Sequence, residues 1–326
     1  KKQMEKIKVG IIGGAGYTGG ELVRLLLLHP HIELVFAFSR SQAGKAISSV
    51  HQDLLGDTDL VFTNQIQKDV DILFLGLPHG QAKTFLAENS FPEETVIIDL
   101  SNDFRLNEDA GEFVYGLPEV NREAIKKAKK IANAGCFASA IQLGLLPLAE
   151  ANLLKSDIHI SAVTGSTGAG VKLSETTHFT WRSSNFSAYK MFDHQHLGEI
   201  GETLTSLQKD FDQNINFIPY RGDFTRGILA TIYTPFDGTH AEAVELYKNY
   251  YASHPFTHVT ETNPDLKQVV NTNKCIVYPF VKNGQIAIIS IIDNLLKGAS
   301  GQAVQNMNLI MGWDENAGLK LKASAF

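Results

Sequence analysis

An apolar run, Ile7-Lys8-Val9-Gly10-Ile11-Ile12, passes without a break into Gly13-Gly14-Ala15-Gly16-Tyr17-Thr18-Gly19 and then into Glu21-Leu22-Val23-Arg24-Leu25-Leu26-Leu27-Leu28, which stops at His29-Pro30. The first run has strand character and the leucine-rich stretch favours a helix, so the glycines fall on a strand-to-helix turn. At such a turn the backbone can approach a pyrophosphate closely, and the first helical amides can bind its charge. The spacing is G-x-x-G-x-x-G with an additional Gly14, which departs from the usual dinucleotide fingerprint. A glycine-rich turn can also serve tight packing alone, but a strand before and a helix after favour a nucleotide. Gly13, Gly16, Tyr17, Thr18 and Gly19 are therefore candidate cofactor contacts.

The next apolar run, Ile32 to Phe38, ends in Ser39-Arg40-Ser41. An NAD-selective fold places an acidic residue there for the ribose hydroxyls. An arginine between two serines instead offers donors to a 2′-phosphate, so NADP is expected, with Ser39, Arg40 and Ser41 around it. The alternative is a solvated loop arginine.

Strand and helix patterns continue to alternate through Asp71 to Pro78, Gln81 to Leu86 and Thr95 to Leu100, which implies a parallel sheet. Pro78-His79-Gly80 and Ser101 to Arg105 then lie at carboxyl ends of strands, the edge where open α/β sheets bind ligands. From about residue 157 the runs become strand-rich, and Lys282-Asn283-Gly284 between two of them signals a hairpin. The expectation is an α/β chain of two parts, a parallel-sheet nucleotide domain and an α+β domain with a mixed or antiparallel sheet. The boundary is set near residue 134.

At 326 residues the chain can bury a sizeable core, and a net charge of −6 without a long basic block gives no support to nucleic-acid binding. The lysines at 126–130 read as a solvated helix face. No apolar stretch is long enough to span a bilayer, and no signal-peptide pattern precedes the first strand, so no membrane partner is expected. Two cysteines are too few for a disulfide framework, and a reducing, cytoplasmic setting is the expectation.

Those cysteines differ in setting. Cys275 lies in an apolar strand and reads as structural. Cys136 stands in Asn133-Ala134-Gly135-Cys136-Phe137-Ala138-Ser139, just before the helical pattern of Ala138 to Leu148. Many cysteines are only buried small hydrophobes. A thiol at a helix N-terminus, however, is biased toward the thiolate, which attacks activated acyl groups while nearby amides stabilise the oxyanion. A proton shuttle is also needed, and Asp193-His194-Gln195-His196 offers one of its histidines as general acid/base, with the choice between His194 and His196 open. H-x-H can form half of a metal site, but no further cluster completes one, so no metal is expected. Surface or capping roles suffice for the other nine histidines.

Taken in order, these segments resemble the N-acetyl-γ-glutamyl-phosphate reductases of the semialdehyde dehydrogenase group. The resemblance also runs through Tyr115-Gly116-Leu117-Pro118-Glu119, Thr225-Arg226-Gly227 and Asp293-Asn294-Leu295 to Ala303. It implies a Rossmann-type NADP-binding domain (1–134 and 301–326) and a catalytic and dimerisation domain (135–300). The implied chemistry is attack of Cys136 on an acyl phosphate, a thioester, and reduction by NADPH within arginine biosynthesis. The resemblance further implies a small acyl-phosphate substrate and a homodimer or tetramer. Arg105, Arg226 and Glu199 become candidate substrate contacts, and Pro78, Asn294 and Lys297, with Ser300-Gly301-Gln302, candidate cofactor contacts. The chain departs from the group at Ala134 and Phe137, where proline and tyrosine are usual, and at Gly198, where proline is usual. Those departures leave room for a bulkier N-acyl group such as succinyl; aspartyl and aminoadipyl phosphates share the chemistry. An NADP sensor would not need Cys136 with the paired histidines, and a cysteine hydrolase would not need the glycine turn.

Overall fold

The structure is a computed structural model and describes residues 6–325. The chain divides into two compact units, one running to Ala134 and resuming over Ala299–Lys320, the other beginning at Gly135, running to Gly298 and including the residues after Lys320.

In the first unit the alternation produces β1 (Ile7–Ile12), α1 (Tyr17–Leu27), β2 (Ile32–Phe38), β3 (Ile72–Leu75), α2 (Ala82–Glu88), β4 (Val96–Asp99), α3 (Asn107–Ala110), β5 (Val114–Gly116), α4 (Pro118–Ile125) and β6 (Lys130–Asn133). The strands form a six-stranded parallel sheet in the order β2-β1-β3-β4-β6-β5. Strands covered on both faces are apolar throughout, as β3 is from Ile72 to Leu75. The chain steps from β1 to β2 on one side and to β3 on the other, so the glycine turn leaves β1 where the sheet reverses its winding. Ile12, Phe36, Leu73, Leu75, Phe85 and Ile97 pack into one cluster beneath it. One expectation fails here. The lysines at 126–130 do not form a helix face, because α4 ends at Ile125 and Lys130 opens β6.

The second unit contains α5 (Cys136–Glu150), β7 (Ile158–Thr164), α6 (Phe179–Arg182), β8 (Ser187–Ala188), α7 (His196–Leu207), β9 (Ile215–Arg221), β10 (Ile228–Pro235), α8 (His240–Tyr251), β11 (Thr257–Val259), β12 (Cys275–Lys282) and β13 (Gln285–Ile292). Its sheet is mixed, in the order β11-β12-β13-β10-β7-β9-β8. The β12–β13 hairpin pairs Lys282 with Gln285 across Asn283-Gly284, whose φ values of 52° and 71° are those of a type I′ turn. Helix α5 is buried from Phe137 to Ala149 and packs on β10 and β13. Pro147 lies inside it and has no N–H for the Leu143 carbonyl; the buried Tyr251 hydroxyl donates there instead. The sheet's other face carries Tyr233 and Phe280, both exposed.

Helix α9 (Gly301–Ile310) belongs to the first unit, where it packs on α1 and α4. The returning segment spans Ala299–Lys320 rather than 301–326. The last residues join the second unit through Asn271 Nδ2 to the Lys322 carbonyl (3.0 Å) and Ser324 N to the Val270 carbonyl (3.2 Å).

Candidate active site

Cys136 is the first residue of α5, with Gly135 as its N-cap in extended conformation. No side chain caps this helix end and no acidic residue stands in its first turn, so its positive end is left to the thiol. Glu199, buried in the first turn of α7, reaches across: its Oε2 accepts the Gly135 N–H at 2.9 Å. Its Oε1 lies 3.8 Å from His196 Nε2. Glu199 therefore fixes the cysteine turn and faces a histidine at ion-pair distance.

The two histidines are buried, not solvated as a polar stretch would be. His194 and His196 are 6% and 5% exposed, against Phe137, Phe217 and each other. The His196 N–H donates to His194 Nδ1 at 3.3 Å, leaving the His194 proton on Nε2. Burial, with Lys190 adding to it, pushes the His194 imidazole down to about 4, so it is neutral at pH 7. Phe137 meets both histidines edge to face in this apolar box, where a tyrosine hydroxyl would need a partner.

Sequence reasoning missed the neighbours that shape the thiol's surroundings. A Cβ built on Gly298 would stand 2.9 Å from Cys136 Cβ, so only glycine fits this π-helical turn, Leu296–Ser300. Tyr189 lies within electrostatic reach of Cys136, and its phenol is pushed up to about 12 by burial, with the thiol adding to the shift and Arg221 opposing it.

The first unit holds the nucleotide candidates. Gly13 has φ +86° and would drive a Cβ into the Gly76 carbonyl at 2.3 Å; a Cβ on Gly19 would meet the Gly13 carbonyl at 2.3 Å. Both glycines are needed for the turn itself. Gly16 is the uncapped N-cap of α1, whose first turn has no acidic residue, and a Cβ there would meet nothing closer than 3.8 Å. Open space before free helical amides fits a phosphate. Tyr17 is exposed, while Thr18 accepts from Ser300 Oγ through its carbonyl at 2.9 Å. Ser39 is buried at the end of β2, and Arg40 and Ser41 stand exposed beyond it. Pro78 is exposed after β3, in a loop fixed by Asp103, which accepts from the backbone of Gly80, Ala82 and Lys83.

Other candidates have internal partners. Arg105 is buried, and donates from Nε to the Asn133 carbonyl and from Nη2 to the Leu100 carbonyl, both at 2.9 Å. Arg226 grips Asp293 in a two-pronged pair at 3.0 and 3.1 Å. Asn294 accepts from Gly227 N (2.7 Å) and donates to Thr167 Oγ1 (3.0 Å), and Lys297 is fully buried. Cys275 is buried, 3.6 Å from Ser290 Oγ. Two of the remaining histidines are also buried rather than superficial: His51 Nε2 meets the Gly14 carbonyl at 2.8 Å and His29 Nε2 meets Asn308 Oδ1 at 2.9 Å. Nothing in the sequence marks His51 as a support of the glycine turn. No described helix is long and apolar enough to cross a membrane.

Residues 8–128 match the family model "Semialdehyde dehydrogenase, NAD binding domain", and residues 136–294 match "Semialdehyde dehydrogenase, dimerisation domain". A Flavobacterium johnsoniae protein named N-acetyl-gamma-glutamyl-phosphate reductase is 57% identical over 98% of this chain and 100% of its own. One of the same name from Christiangramia forsetii is also 57% identical, over 98% and 100%. Among solved structures, aspartate semialdehyde dehydrogenase II of Vibrio cholerae, complexed with ASA, shares the fold with a TM-score of 0.74 at 16% identity, over 94% of this chain and 99% of that one.

Proposed function

This chain belongs to the semialdehyde dehydrogenase family, and we propose that it acts there as an NADPH-dependent N-acetyl-γ-glutamyl-phosphate reductase of arginine biosynthesis, yielding N-acetylglutamate 5-semialdehyde and phosphate. The observation that carries the chemistry is Cys136 at the open N-terminus of α5, tied through Gly135 and Glu199 to His196. His196 takes the Sγ proton, with the Glu199 carboxylate stabilising the imidazolium. The Cys136 thiolate then attacks the acyl carbon, forming the C–S bond. Phosphate leaves with the electron pair of the broken C–O bond and takes a proton from solvent. NADPH, when bound, supplies the hydride that reduces the resulting thioester. His196 protonates the hemithioacetal oxygen and recovers that proton as the C–S bond breaks, releasing the aldehyde and the thiolate. His194, neutral at pH 7, donates a hydrogen bond from Nε2 and orients the substrate.

For the cofactor, the amides of Tyr17, Thr18 and Gly19 at the uncapped start of α1 suit the pyrophosphate, those of Gly13 and Gly14 being taken by the Phe38 carbonyl, and Ser39, Arg40 and Ser41 suit a 2′-phosphate. Arg105 positions the chain before Cys136 through the Asn133 carbonyl. The exposed aromatic sheet face in the dimerisation-domain region supports a homo-oligomer with a second copy against it, and a free catalytic thiol suits the cytoplasm.

The test is phosphate-dependent reduction of NADP⁺ by N-acetylglutamate 5-semialdehyde, with wild type beside Cys136→Ala and NAD⁺ in parallel. The reading expects activity that is lost in the variant; full activity in Cys136→Ala would make the cysteine mere core.

A further inference from the structure

Two arginines of the second unit, Arg182 and Arg221, come together, and the second of them lies against Tyr189. Arg182, at the end of α6, is fully engaged: it donates to the carbonyls of Thr176 (3.3 Å), Asn185 (3.0 Å) and Arg221 (2.7 Å) and to Ser187 Oγ (3.2 Å). Arg221, at the end of β9, is different. Its guanidinium lies over the Tyr189 ring, 4.9 Å from the centroid, and its Nε is buried without a hydrogen-bond partner. It makes no ion pair among the described residues, whereas Arg226 is neutralised by Asp293. The strands bring this cation to the thiol's side: Ser187 pairs with Arg221, and the Tyr189 N–H donates to the Pro219 carbonyl at 3.1 Å. The Tyr189 ring in turn meets His194 edge to face at 5.9 Å, and its phenol senses Cys136.

A guanidinium held against an aromatic face, with a buried unsatisfied N–H and another cation nearby, is built for an anion that is not part of the chain. The substrate offers a phosphate, an α-carboxylate and, where the N-acyl group is succinyl, a carboxylate on the acyl arm. Phosphate departs at acylation, while the acylamino part stays through both half-reactions, so a fixed receptor that must serve both grips the latter. We propose that Arg221, braced by Tyr189, binds a carboxylate of the acylamino acid and so sets the reach of the reacting carbonyl to Cys136. The inference rests on the reading of the chain as an acylglutamyl-phosphate reductase and names its specificity residue.

The experiment compares wild type, Arg221→Met, Arg221→Lys and Tyr189→Phe in the oxidative direction with N-acetyl- and N-succinylglutamate semialdehyde, NADP⁺ and phosphate. Arg221→Gln replaces Arg221→Met if the latter does not fold. Loss of a charge-assisted contact should raise the semialdehyde KM of Arg221→Met about 10- to 100-fold, with the KM of phosphate and NADP⁺ unchanged and partial recovery in Arg221→Lys. A loss on both semialdehydes identifies the α-carboxylate; a loss confined to the succinyl compound identifies the acyl-borne carboxylate. An unchanged semialdehyde KM on both, or a raised phosphate KM, overturns the assignment while leaving the enzyme reading intact. A folded, NADP⁺-binding wild type inactive on both compounds would instead overturn the enzyme reading, and this inference with it.

Discussion

His194 and His196 are neighbours in different settings, the one enclosed by aromatic rings and the other facing Glu199, and the proposed mechanism gives them separate roles. Burial holds His194 at about 4, below its ordinary 6.5, so the unfolded chain takes up this proton first as pH falls. The neutral imidazole therefore contributes stability above pH 6.5 that is lost progressively toward pH 4. In His194→Asn the melting temperature should fall less steeply between those values than in wild type; parallel curves would contradict the account. His196→Asn should instead abolish turnover while leaving NADP⁺ binding intact, as read by fluorescence titration. Gly298 gives a geometric test. An alanine there would press within 2.9 Å of Cys136 Cβ and displace the thiol, and a misplacement of about 1 Å can cost about 100-fold in rate. The expected outcome is a kcat loss of that order together with a lowered melting temperature, because the added methyl overpacks a buried turn, with both measured on the same preparation.

The glycine turn and the helix it opens act as one element. Gly19→Ala would push a Cβ to 2.3 Å from the Gly13 carbonyl, a backbone atom that cannot swing aside, so both melting temperature and NADP⁺ affinity should drop. Arg40 is exposed at the next strand end, so Arg40→Ala should weaken NADP⁺ about 10- to 100-fold and leave NAD⁺ unchanged; equal effects on both would make it an ordinary surface residue. These elements were legible because strand, turn and helix chemistry is local: β1, α1, β2, the Asn283-Gly284 hairpin and the helix opening at Cys136 all lie near where periodicity puts them. What was not legible depends on long-range contact. Glu199 reaches Gly135 across 64 positions and Arg226 reaches Asp293 across 67, and neither pairing leaves a mark in its own neighbourhood. The lysines at 126–130 looked helical because charge alone does not reveal that Lys130 enters a buried parallel sheet.

At the scale of the whole chain, the proposed mechanism assigns each unit a separate part of the chemistry. The first presents a helix N-terminus at the switch point of a parallel sheet; the second holds the thiol at the start of α5, and the carboxylate and histidines on and just before α7. Family membership follows from 57% identity along essentially the full length, and the two family models divide at 128–136, close to where the units meet in sequence. The central claim is that the reaction passes through an acyl group on Cys136. It is tested most directly by incubating the protein with N-acetylglutamate 5-semialdehyde and NADP⁺ in the absence of phosphate, then measuring the intact mass and that of the peptide containing Cys136. The account predicts a mass increase equal to the N-acetylglutamyl group on that peptide, removed by adding phosphate and absent from Cys136→Ala. A catalytically active protein that never carries the acyl group, or carries it on another residue, would contradict it.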